Sequence, residues 1–184
     1  RHALHENLKE ENKYYKYDFF LDNCTTRLRD LIVNSKSPKP ILPPVMPINT
    51  TFREAIHEYL NKGGQPWSKL GIDILLGAPT DAIMTTAQQQ FLPDNLMKAL
   101  DSTSNVSIVM HRSNLYELST ETNKRSFFTP LIFFTLLLVL YGMICIAGNK
   151  RFSTLITSLD GLLFFSTGLL GVILIFMWIG TDHS

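Results

Sequence analysis

The chain has 184 residues, with 17 Lys and Arg against 16 Asp and Glu, for a formal net charge of +1. That balance carries no signal for nucleic acid, and no basic cluster marks a groove for one. The length leaves room for about one soluble domain plus a membrane anchor, and the apolar residues are divided unevenly: 1–125 are polar and globular in pattern, whereas 126–181 are dominated by Phe, Leu and Ile.

In chain order, His2–Asn12 carries Leu4 and Leu8 with Glu and Lys between them and reads as the end of an amphipathic helix. Arg1 is not a natural start, so the natural amino terminus is expected upstream. The tail Thr181-Asp182-His183-Ser184 stops as abruptly. Tyr14-Tyr15-Lys16-Tyr17-Asp18-Phe19-Phe20 is an aromatic approach segment to the polar turn Asp22-Asn23-Cys24-Thr25-Thr26. A short helix, Thr25–Val33, follows with Leu28, Leu31 and Ile32 on one face. Ser37–Pro47 is Pro-rich and predicts a stiff connector. Thr51-Phe52-Arg53-Glu54 is a capping box opening a helix that turns Phe52, Ile56, Tyr59 and Leu60 inward and ends at Gly63-Gly64. Trp67–Leu76 predicts another helix, closed by Gly77 and Pro79. Asp81 is placed to N-cap a helix over Ala82–Gln90, and Pro93-Asp94 to start one ending near Leu100. Val106–Met110 and Leu115–Leu118 alternate around a polar turn and predict a β-hairpin.

No charge interrupts the stretch between Arg125 and Lys150, or between Asp160 and Asp182. Each gap exceeds the ~20 residues that cross a bilayer core, which predicts two transmembrane helices, about Phe127–Ala147 and Leu159–Ile179. The short link makes them a hairpin, with both chain ends on one side. Lys150 and Arg151 favour a cytoplasmic link by the positive-inside rule, and Lys124 and Arg125 nearly cancel that preference. Tyr141 and Trp178 fit interfacial positions.

The two cysteines are far apart, Cys145 inside the apolar run and Cys24 in the turn, so no disulfide framework is expected. A cysteine in the first turn of a helix meets unpaired backbone N–H groups and the positive end of the macrodipole, which favour a thiolate. Arg27 and Arg29 add positive potential, and the same N–H groups are placed to form half of an oxyanion hole. These features suit a nucleophile that attacks a carbonyl. The plainer reading makes Cys24 a small core residue under Phe19 and Phe20 and Asp22 a simple N-cap; the polar neighbours Asp22, Asn23 and Thr25 speak for the nucleophile. A thiol nucleophile needs a base, and none of the five histidines stands at an obvious spacing. His57 reads as solvated and His111 as a turn residue. Asp182-His183, just outside the second span, is either a polar helix terminus or part of a site that meets lipid. No metal-ligand spacing and no Gly-rich phosphate loop is present, so neither metal nor cofactor is expected.

The run Tyr15-Lys16-Tyr17-Asp18-Phe19-Phe20-Leu21-Asp22-Asn23-Cys24-Thr25-Thr26-Arg27-Leu28-Arg29-Asp30 resembles the signature of the Lnb-type lipoprotein N-acyltransferase family. Trp67 through Leu76-Gly77-Ala78-Pro79-Thr80-Asp81, then Phe91-Leu92-Pro93-Asp94, is similar to a second block of that family. The membrane hairpin, with Asp160-Gly161 opening the second span and Thr181-Asp182-His183 closing it, is similar to a third.

The resemblance implies an α+β fold: the carboxy-terminal part of a permuted papain-like (NlpC/P60-type) Cys/His domain, mainly helical in this chain, followed by a transmembrane helical hairpin. Residues 1–125 would be a periplasmic catalytic domain and 126–184 the anchor. The resemblance further implies a Gram-negative inner-membrane enzyme in which Cys24 takes an acyl chain from phospholipid as a thioester. The α-amine of a diacylated lipoprotein is the implied acceptor. The catalytic histidine would lie upstream of Arg1, leaving the dyad incomplete here. Around Cys24, the supporting candidates are Asp22, Asn23, Thr25 and Arg27, and the lipid-facing candidates are Tyr17, Phe20, Asp182 and His183. Two alternatives stay open: a membrane-tethered cysteine hydrolase acting on peptidoglycan peptides or lipid esters, and a non-enzymatic envelope module with a structural Cys24. Oligomeric state is not legible.

Overall fold

The computed structural model describes residues 2–113, 127–146 and 150–180. The helices are α1 His2–Asn7, α2 Glu10–Lys13, α3 Cys24–Asn34, α4 Phe52–Lys62, α5 Pro66–Leu76, α6 Pro93–Asp101, α7 Pro130–Ile146 and α8 Lys150–Gly180, with 3₁₀ turns at Ala78–Asp81 and Gln88–Phe91.

The α+β, papain-like fold class is overturned. Among the described residues there is no strand, only two isolated bridges, Asp18 with Asp22 and Thr51 with Ile83. Backbone groups in the extended stretches are satisfied by side chains instead of by a ladder. The connector 37–47 loses donors at its prolines, and the Gln89 side-chain oxygen accepts from Val45 N at 2.9 Å and Met46 N at 3.1 Å. Asn105 closes the other end, accepting from Ile41 N and donating to Lys39 O, both at 2.9 Å. Val106–Met110 forms no strand, and the second arm of the expected hairpin, Leu115–Leu118, lies outside the described residues.

The capping box of α4 is present: Thr51 Oγ1 accepts from Glu54 N at 3.2 Å while the Glu54 carboxylate accepts from Thr51 N at 2.8 Å. This cap fixes where α4 begins and so turns Phe52, Ala55 and Ile56 into the core, where they meet Met84 and Phe91. Phe19 and Phe20 pack on the same cluster, with Phe20 4.7 Å from Phe52 and Phe52 5.2 Å from Phe91 between ring centroids.

Ala82–Gln90 does not form the expected helix. Ala82 O accepts from Phe52 N at 3.3 Å and Met84 N donates to Thr50 O at 3.0 Å, which holds this stretch extended against the start of α4. Asp81, the expected cap, is engaged elsewhere: Arg53 Nε donates to it at 2.6 Å, Arg53 Nη1 to Asp73 at 2.5 Å and Arg53 Nη2 to Gly77 O at 2.9 Å. Arg53 therefore ties α4, α5 and the turn after α5 together. Gly77 makes that turn at φ 57° and ψ −141°, a conformation that only glycine enters readily. The Arg53 guanidinium holds the Asp81 carboxyl below the usual carboxylate range, and Asp81 in turn raises Arg53.

In the apolar half, α8 begins at Lys150, well ahead of the expected Leu159. Its stretch Ser153–Met177 is long and apolar enough to cross a membrane, while α7 is shorter at 17 residues. Tyr141 on α7 is not a free interfacial residue; its hydroxyl donates to the Asp160 carboxylate on α8 at 2.6 Å.

Candidate functional site

Helix α3 begins at Cys24, one residue earlier than the sequence reading, and the cap is Asn23, where Asp22 was expected. Asn23 Oδ1 accepts from Thr25 N at 2.8 Å and Thr26 N at 2.9 Å, and Thr26 Oγ1 accepts from Asn23 N at 2.9 Å, a reciprocal capping box. The amide of Asn23 points the other way, donating to Phe19 O at 2.9 Å and Phe91 O at 3.1 Å. One nearly buried side chain thus fixes the start of α3 both to the aromatic approach segment and to a residue 68 positions away.

The approach itself is a closed turn. Asp18 and Asp22 exchange backbone hydrogen bonds at 3.1 Å, and Asp18 Oδ1 accepts from Phe20 N at 2.8 Å and Leu21 N at 2.7 Å. Asp at this position satisfies the turn's donors with its own side chain. The aromatic run is therefore split, Phe19 and Phe20 packing inward on the core while Tyr14, Tyr15 and Tyr17 stay on the surface. Of the lipid-facing candidates, Tyr17 is half exposed and Phe20 lies against the core. Asp182 and His183 lie outside the described residues.

Cys24 is exposed and a free thiol, which sets aside the reading of a small core residue. Its sulfur is close enough to raise the Tyr17 hydroxyl above the ordinary tyrosine value, second to partial burial and ahead of Tyr15 and Asp18. Thr25 and Thr26 are buried and point inward. The positive potential expected from the two arginines is largely offset. Arg27 forms a two-pronged pair with Asp22 at 2.8 and 2.9 Å, stacks its guanidinium 3.6 Å from the Tyr15 ring centre, and is raised above its usual value by that Asp22 bond. Arg29 pairs with Asp30 at 2.7 Å. Two of the N–H groups proposed for an oxyanion hole, those of Thr25 and Thr26, are taken by Asn23. The backbone N–H of Cys24 itself has no partner among the described residues.

An open groove of about 730 Å³ flanks α3, lined by Leu21, Asp22, Arg27, Asp30 and Leu31 with Glu6 from α1 opposite. Arg27 and Leu31 stand three and seven residues after Cys24, on the side of α3 that Cys24 begins.

His57, expected in solvent, bonds through Nε2 to Asp73 at 2.8 Å beside Arg53. None of His5, His57 and His111 is hydrogen-bonded to Cys24. The sequence reading missed the second role of Asn23 and the His57–Asp73 pair. A helical i, i+4 spacing puts Arg53 and His57 on one face, which was the available signal; their shared partner lies on another helix.

A family model described as the Lnb N-terminal periplasmic domain matches residues 1–59, and one described as the Lnb transmembrane domain matches residues 122–184. No curated protein and no solved structure matches the chain. With the cysteine turn inside the first match and both apolar helices inside the second, the chain belongs to the Lnb family and is part of a bacterial membrane protein with a periplasmic domain.

Proposed function

We propose that this chain carries the nucleophile of a lipoprotein N-acyltransferase of the bacterial inner membrane. The observation that carries the reading is Cys24: an exposed thiol at the first position of a rigidly capped helix, with its own backbone N–H unpaired among the described residues, in a chain joined to a transmembrane domain. Cys24 Sγ gives its proton to the base and attacks the carbonyl carbon of a phospholipid acyl ester. The C–S bond forms, the ester C–O bond breaks, and the lysophospholipid oxygen leaves with the proton that the base returns. The α-amine of a diacylated lipoprotein then attacks the thioester; the amide C–N bond forms, the C–S bond breaks, and a proton returns to sulfur. The Cys24 N–H is placed to donate to the oxyanion in both steps, a contribution of the kind worth about 3 kcal/mol per donor. The base in this reading is the histidine that the family resemblance implies upstream of Arg1, and His57 is held by Asp73. Anchoring beside the bilayer raises the effective concentration of a donor and an acceptor that are both lipid-bound.

The test is intact-mass analysis of a lipoprotein's N-terminal peptide, from cells in which the full-length protein is the only N-acylating candidate, wild type or Cys24→Ser. An acyl amide in the wild type that is absent from an equally abundant mutant is the expected result. Unmodified amine in both, with free fatty acid released by the wild type alone, moves the assignment to a cysteine hydrolase. Acyl amide in both makes Cys24 structural.

A further inference from the structure

We propose that α5 is a membrane-docking helix whose outer face, Trp67, Leu70, Ile74 and Leu75, lies in the boundary between headgroups and acyl chains of the bilayer that α7 and α8 enter.

Helix α5 is apolar on two opposite sides. Ile72 and Leu76 pack on the core, and Asp73 turns toward Arg53 and His57. At about 100° per residue, Trp67, Leu70, Gly71, Ile74 and Leu75 then fall together on the opposite side. That side is only partly covered: none of the α5 residues is fully buried, Trp67 is 39% and Leu75 43% exposed, Leu70 and Ile74 are part-buried, and a Cβ built on Gly71 would meet nothing within 4 Å. A soluble helix would carry polar residues there.

The occupant follows from what α5 adjoins. The Trp67 indole N–H donates to Phe128 O at 2.9 Å, and its ring lies 5.6 Å from Phe133 and 6.3 Å from Phe134 between centroids. Phe133 and Phe134 belong to the first two turns of α7, so the amino end of α5 stands level with the entry of an apolar helix of the transmembrane domain. A tryptophan with an apolar ring and a satisfied N–H is the side chain suited to that depth. This apolar side is continuous with the membrane interface, and lipid is the partner it fits. This inference rests on the transmembrane assignment of the α7–α8 region and is independent of the acyl-transfer chemistry.

The deciding experiment places a single tryptophan at position 75. The full-length protein is reconstituted in phosphatidylethanolamine–phosphatidylglycerol vesicles, with every other tryptophan, Trp67 and Trp178 included, replaced by phenylalanine, and carries Leu75→Trp. Because Leu75 is exposed, the substitution leaves the fold intact, and a parallel protein keeping only Trp67 controls for it. Lipids brominated near the headgroup are expected to cut the fluorescence of both proteins by roughly two-fold, with aqueous iodide having little effect. Quenching of the position-75 probe by iodide and not by brominated lipid places α5 in water and overturns the proposal. Shielding from both quenchers means protein covers this side, which overturns it equally.

Discussion

Asn23→Asp separates capping from anchoring. Aspartate caps helices as well as asparagine does, and its charge at a helix amino terminus is favourable by about 0.3–1 kcal/mol. If Asn23 served α3 alone, the substitution would be neutral or stabilising. Its amide, however, donates to Phe19 O and Phe91 O at 2.9 and 3.1 Å in a site only 6% exposed. A carboxylate there removes both donors and sets its own oxygen against two carbonyl oxygens. Each acceptor left unpaired costs about 1–3 kcal/mol, so the net loss is about 1–6 kcal/mol once the gain of about 0.3–1 kcal/mol at the helix end is subtracted. Asn23→Ala loses the cap as well, about 1 kcal/mol more. The assay is urea unfolding of the purified protein in detergent, followed by the loss of far-UV helical signal from the soluble helices. With a slope of about 2 kcal/mol per molar urea, the Asn23→Asp midpoint should fall by about 0.5–3 M. A midpoint within error of wild type would refute the reasoning and leave Asn23 as a cap with no structural tie to Phe91.

Phe91→Ala should cost about 3–5 kcal/mol in the same unfolding assay, because the ring is 1% exposed and touches Phe19, Phe20 and Phe52. Gly77→Ala should cost about 1–3 kcal/mol, since its backbone sits at φ 57° and ψ −141° while its carbonyl receives Arg53. The Arg53–Asp81 pair makes stability pH-dependent with a definite sign. Asp81 is held below its unfolded value, so its contribution is present above the ordinary carboxylate range and is lost as pH falls through its lowered one. Asp81→Asn should therefore narrow the stability difference between neutral and acid pH, its curve converging with wild type at the acid end.

Local signals carried the helices well. Thr51 and Glu54 announced α4 because both halves of a capping box lie within four residues, and the end of α5 was legible in Gly77 for reasons equally local. Signals failed where the deciding partner is distant in sequence. Asp22 and Asn23 are both good caps, and the choice falls to Asn23 because Phe91 O is waiting for its amide while Arg27 claims Asp22. Asp81 likewise reads as a cap until Arg53 takes it. The expected α+β, papain-like fold came from resemblance, and the alternation at Val106–Met110, the strand pattern beside it, forms no strand. Cys24 was legible as the candidate nucleophile from its polar setting. The pairing of both nearby arginines was not, since it depends on side-chain directions within the folded turn.

The hydrogen bond between Tyr141 and Asp160 bears on how the protein is made. A lone aspartate within a membrane-crossing helix opposes its insertion by up to about 3 kcal/mol. Helix α7 leaves the ribosome first and presents a hydroxyl 2.6 Å from where that carboxylate comes to rest. The second helix thus enters lipid with its polar group already provided for, and the two are expected to integrate as a pair. Tyr141→Phe should then leave α7 inserted and lower the yield of integrated α8, with glycosylation tags beyond α8 as the reporter.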